Sequence, residues 1–146
     1  MTGNTPENDY TDSQLTIRRT FDTPLERVWR AFTDPGEREQ WFVPEGMTAD
    51  VRISELEAGG EMIVQWMDGE EHMDNEGYII KVVENKRLAT GEETDEGELH
   101  LMYEFQDADD GTEVVITQEF SGPVPDGAAE GWASMLDTLE EVLASS

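Results

Sequence analysis

Between Met47 and Ser121 the apolar residues recur at every second position, and after Trp132 the period changes once, to the three-and-four spacing of a helix. Each period marks an object with one apolar face, a half-buried strand or an amphipathic helix, and each face must be covered by something. Short turns separate the alternating runs. Ala58-Gly59-Gly60, Asp68-Gly69, Glu84-Asn85 and Asp109-Asp110-Gly111 place residues that accept positive φ at the reversals. Connections that short join antiparallel neighbours, so six strands are expected near 48–55, 61–67, 73–83, 87–92, 98–106 and 113–120.

Upstream, Leu15, Ile17 and Phe21 alternate with Thr16, Arg18 and Thr20, which predicts a first strand whose apolar side is interrupted at Arg19. Thr23-Pro24-Leu25-Glu26 then reads as a helix start, with Thr23 as N-cap, Pro24 at the first helical position and Glu26 completing the cap. Leu25, Val28, Trp29 and Phe32 form one stripe, and Asp34-Pro35-Gly36 ends it. A second, shorter helix is expected over 37–42, before Pro44. Trp132, Met135, Leu136, Leu139, Val142 and Leu143 predict a long C-terminal helix. The fold class is therefore α+β, with a curved seven-stranded antiparallel sheet wrapped around the last helix and two short helices after the first strand. Residues 1–13 lack periodicity and are expected to be a flexible arm, leaving 14–146 as a single domain.

Charge narrows the partners. Nine Lys plus Arg stand against 35 Asp plus Glu, a formal net charge of −26. Such a surface is repelled by phosphate backbones and anionic headgroups, so neither nucleic acid nor a membrane is an expected partner. With no cysteine, thiolate catalysis and disulfides are excluded. No run of roughly 18–20 apolar residues is present, nor a basic stretch followed by an apolar one near Met1, and a cytoplasmic protein is expected. Acids spread along the whole chain, with only Lys81 and Lys86 as lysines, suit a source in concentrated salt, where screening shortens to about 3 Å at 1 M.

Four segments carry a resemblance to a known family. They are the run from Arg19 through Thr23-Pro24-Leu25-Glu26-Arg27-Val28-Trp29 to Asp34-Pro35, then Gln40-Trp41-Phe42-Val43-Pro44, Gly59-Gly60 before a strand, and Gly131-Trp132 with Leu136 in the last helix. In order and spacing they resemble the Activator of Hsp90 ATPase homologue 1-like group of the START-like, or Bet v 1-like, helix-grip superfamily. The resemblance implies a cavity between sheet and terminal helix that takes an apolar or aromatic small molecule. It assigns no reaction and no cofactor. Carriers, polyketide cyclases and aromatases, and co-chaperones share this fold, so function has to be argued from the site.

Strand alternation nominates the lining. Val64 and Trp66 share one face, Leu101 and Tyr103 another, and Gln118 and Phe120 a third; all are expected to look toward Trp132 and Met135. Trp41 and Phe42 either gate the ligand or dock the short helix onto the sheet. Trp66, Tyr103 and Gln118 would supply polar anchors in a mostly apolar pocket. The expected activity is thus small-molecule binding, with a cyclase-like reaction polarised by Tyr103, Gln118 or Arg19, or a co-chaperone role toward Hsp90, as alternatives. His72 and His100 sit among acids, but alternation turns His100 to solvent and His72 lies by a turn, so no metal site is expected.

Overall fold

The computed structural model describes residues 8–10, 14–44, 46–94, 97–109, 111–120, 124 and 126–144. Its strands are β1 (Asn8–Tyr10), β2 (Gln14–Phe21), β3 (Thr48–Ile53), β4 (Glu61–Asp68), β5 (Glu71–Val83), β6 (Arg87–Thr94), β7 (Gly97–Ala108) and β8 (Gly111–Glu119). Three helices complete it: α1 (Leu25–Thr33), α2 (Pro35–Arg38) and α3 (Ala128–Ala144). All pairs are antiparallel in the order β1-β2-β8-β7-β6-β5-β4-β3. The expected seven-stranded helix-grip sheet is therefore present, and the short β1 adds an eighth strand at its edge. Asn8–Tyr10 belong to the expected arm; the rest of that arm, and Asp110 in its turn, lie outside the described residues.

Alternation accounts for the core. Leu15, Ile17 and Phe21 of β2, Val114 and Ile116 of β8, Tyr103 and Phe105 of β7, and Leu88 of β6 are all buried on one face. Against this face α1 buries Val28, Trp29, Ala31 and Phe32, while α3 buries Trp132, Leu136, Leu139 and Leu143. Arg19, the break in the β2 pattern, reaches α3 instead and binds Asp137 and Glu140 at 3.0 and 2.6 Å. The motif Gly59-Gly60 has a steric reason: a Cβ on Gly60 would lie 2.0 Å from the Glu55 carbonyl oxygen.

The helix starts differ from expectation. Pro24, not Thr23, occupies the N-cap of α1 and no side chain caps it, so Glu26 merely lies in the first turn. Thr23 is committed elsewhere, its carbonyl accepting from the buried Thr112 hydroxyl at 2.7 Å, which ties the helix entry to β8. The second helix is also earlier and shorter than 37–42. Asp34 ends α1 and at once caps α2, its Oδ1 accepting from the Gly36 and Glu37 amides at 2.9 and 3.4 Å, with Pro35 next in the chain. Trp41 and Phe42 consequently follow α2 instead of riding on it.

Candidate functional site

The junction of α1 and α2 creates an unusual demand. In a continuing helix the Ala31 carbonyl would accept from residue 35, but Pro35 has no N–H; the Phe32 carbonyl would accept from Gly36, whose amide is held by Asp34. Two side chains, one from the last residue of α2 and one from just beyond it, fill these vacancies. Trp41 Nε1 donates to the Ala31 carbonyl at 2.9 Å, and Arg38 Nη1 donates to the Phe32 carbonyl at 2.9 Å. Both side chains are fully buried, at 0% exposure.

Arg38 thereby carries a charge into the core. Its Nη2 donates to the Tyr103 hydroxyl at 2.6 Å, and its guanidinium lies 4.3 Å from the Phe42 ring centre and 5.0 Å from that of Tyr103. Both hydrogen-bond acceptors are neutral. No ion pair to Arg38 forms among the described residues, and its Nε has no partner at all. Beside it is a small cavity of about 30 Å³, partly open to solvent, between Arg38 and Phe42 on one side and the inner faces of β4 to β7 on the other. Met62, Val64, Thr90, Glu92 and Leu101 line it, with Gly77, Tyr78 and Gly91 along its wall.

Glu92 is the acid of this cavity. Its partial burial pushes the carboxyl up from the ordinary carboxylate range, against the opposing pull of Arg38. Tyr103 is shifted upward for the same reason, desolvation outweighing Arg38, and stays protonated. A carboxyl raised in the folded state favours folding below its unfolded pKa and loses that stability as pH rises through the folded value. Glu92→Gln is therefore expected to melt higher than the parent chain at pH 7, with the gap closing on acidification. Melting curves of both proteins across pH check this; a less stable Gln variant at pH 7 would make Glu92 the counter-ion of Arg38.

The residues expected to line a cavity divide into two groups. Phe42, Val64 and Leu101 do border the small cavity. Trp41, Tyr103 and Trp132 are buried in a ring cluster with Phe32, Phe42 and Trp66, with centres 4.7 Å apart for Phe32 and Trp41, 5.8 Å for Phe42 and Trp132, and 6.2 Å for Tyr103 and Trp132. Their polar atoms serve one another: Trp66 Nε1 donates to the Phe42 carbonyl at 2.9 Å and Trp132 Nε1 to Gln118 Oε1 at 2.8 Å. Phe120 and Met135 pack on the core from its margin. His72 and His100 face Asp74 and Glu98 at 3.1 and 3.7 Å, and no metal-binding cluster occurs among the described residues.

Arg38 and Glu92 were not nominated from sequence, though both left a signal. Glu92 follows Leu88 and Thr90 in alternation, so it must point inward with them. Arg38 stands between Glu37 and Glu39 and reads as a solvated position. Only its closeness to Trp41-Phe42 hinted that an aromatic surface could hold a guanidinium.

The profile of the Activator of Hsp90 ATPase homolog 1-like protein family matches residues 22–144. The chain belongs to this family. Solved structures agree in fold. A Nitrosomonas europaea protein is 25% identical with TM-score 0.84, covering 94% of this chain and 97% of that one. A Rhodobacter sphaeroides protein is 21% identical with TM-score 0.88, covering 96% and 99%. CalU16 from Micromonospora echinospora is 20% identical with TM-score 0.68, covering 94% and 83%. No curated protein matches. No helix among the described residues is long and apolar enough to cross a membrane.

Proposed function

We propose that this member of the family binds a small organic molecule at the cavity beneath Arg38, with the apolar part of the ligand against Phe42, Val64 and Leu101. One observation carries the reading. A fully buried guanidinium, its Nε unpartnered and with no ion pair among the described residues, borders a cavity that opens to solvent. Buried charges without partners are costly, and functional sites are where such costs concentrate.

Binding is better supported than turnover. The three groups that a cyclase-like reaction would draw on do not meet: Gln118 is held by Trp132, Arg19 by Asp137 and Glu140, and the Tyr103 hydroxyl by Arg38. The site lies beside the aromatic cluster, with Phe42 shared between its wall and the rings of Trp41, Trp66 and Trp132. A ligand is held at the edge of the cluster rather than engulfed. A panel of small aromatic and aliphatic compounds should produce amide chemical-shift changes centred on Phe42, Val64, Thr90 and Leu101. Shifts confined to other surfaces, or none from any compound, would refute the assignment.

A further inference from the structure

We infer that the chemical group taken by this cavity is a carboxylate on an apolar body, seated on the free edge of Arg38. The inference rests on the cavity being the binding site, and adds what the ligand must present to it.

A guanidinium has five N–H donors, and the two bonds given to Arg38 end on a carbonyl and a phenol oxygen, neither of which carries charge. The C-terminal end of α1, which Arg38 caps through Phe32, offers about half a negative unit at most. Within hydrogen-bond reach the guanidinium charge is therefore unmatched, and Glu92 across the cavity acts on it only at longer range. A neutral carbonyl from a ligand could satisfy Nε but would leave the charge unmatched, whereas a carboxylate does both and fits the planar edge of the guanidinium.

Size and sign then exclude other anions. The cavity volume of about 30 Å³ compares with roughly 10–15 Å³ on this scale for one water. Two or three non-hydrogen atoms fit, the size of a carboxylate head, while a ring does not. The remainder of the ligand would lie in the mouth against Phe42, Val64 and Leu101. A dianion such as phosphate is disfavoured more than a carboxylate by Glu92 on the same wall, since one cation would then face three negative charges instead of two.

The test is a matched pair on the whole chain: 3-phenylpropionate against 3-phenylpropionamide, titrated at pH 7 by calorimetry and followed by NMR at the Arg38 Nε–H and the Phe42, Val64 and Leu101 amides. The carboxylate is expected to bind at least tenfold more tightly and to move the Arg38 Nε–H signal. Equal or tighter binding of the amide, with the same amides shifting, overturns the carboxylate inference and leaves the site standing. Tighter binding of inorganic phosphate than of 3-phenylpropionate overturns it as well. Absence of any shift around the cavity with both probes overturns the site and the inference together. Because the comparison uses the unaltered protein, no outcome depends on a variant folding.

Discussion

Trp41→Ala is expected to destabilise the protein by about 3–5 kcal/mol, enough to consume much of the stability of a domain this size. The side chain is wholly buried between Phe32 and Phe42, so its removal leaves a void that neighbouring rings can fill only in part. A second loss compounds the first. Without the indole N–H, the Ala31 carbonyl has no donor, because Pro35 cannot supply one, and an orphaned buried acceptor costs about 1–3 kcal/mol. Trp41→Phe should recover the packing but not the hydrogen bond, and fall between the two. Urea unfolding of the three proteins measures this directly. A mobile gate would behave otherwise, tolerating alanine with little loss of stability and faster ligand exchange.

Arg38→Met is expected to separate binding from folding. Charge-assisted hydrogen bonds contribute about 1.5–3 kcal/mol, so affinity for 3-phenylpropionate should fall by roughly 10- to 150-fold. Stability should stay within about 2 kcal/mol of the parent. The Phe32 carbonyl and the buried Tyr103 hydroxyl each lose a partner, at about 1–3 kcal/mol, and the favourable interaction with the end of α1 goes, at up to about 2 kcal/mol, but relief of guanidinium desolvation, worth several kcal/mol, offsets them. Methionine is unbranched and fills the space left between Phe42 and Tyr103. Calorimetric titration and thermal melting of the same preparation decide the matter. A loss of stability above about 4 kcal/mol would mean that Arg38 is retained chiefly as the cap of α1.

Much of the architecture could be read without coordinates because strands and helices write their buried faces into the sequence at fixed periods. Leu15, Ile17 and Phe21, or Tyr103 and Phe105, fall where alternation puts them, and α3 buries Trp132, Leu136, Leu139 and Leu143 from its apolar stripe. Periodicity names a face but says nothing about the volume in front of it. Periodicity turns Tyr103 and Trp132 inward, and both are buried, yet whether rings leave a hollow or close it depends on how Phe32, Phe42 and Trp66 interlock. Arg38 was hidden for a different reason. A charge next to two glutamates is ordinarily solvated, and its burial follows from a missing N–H at Pro35 and an amide diverted by Asp34, local vacancies that only the fold reveals.

The ring cluster around Phe42 has an optical consequence. Trp41, Trp66 and Trp132 all lie within 5.8 Å of that ring, centre to centre, while Phe42 itself walls the cavity. Three of the four indoles in the chain thus pack against a ring that walls the mouth, and a guest bound there would alter the surroundings of the ring they share. On the proposed reading the protein would carry its own reporter, and its ultraviolet emission is expected to follow occupancy without a dye or a label.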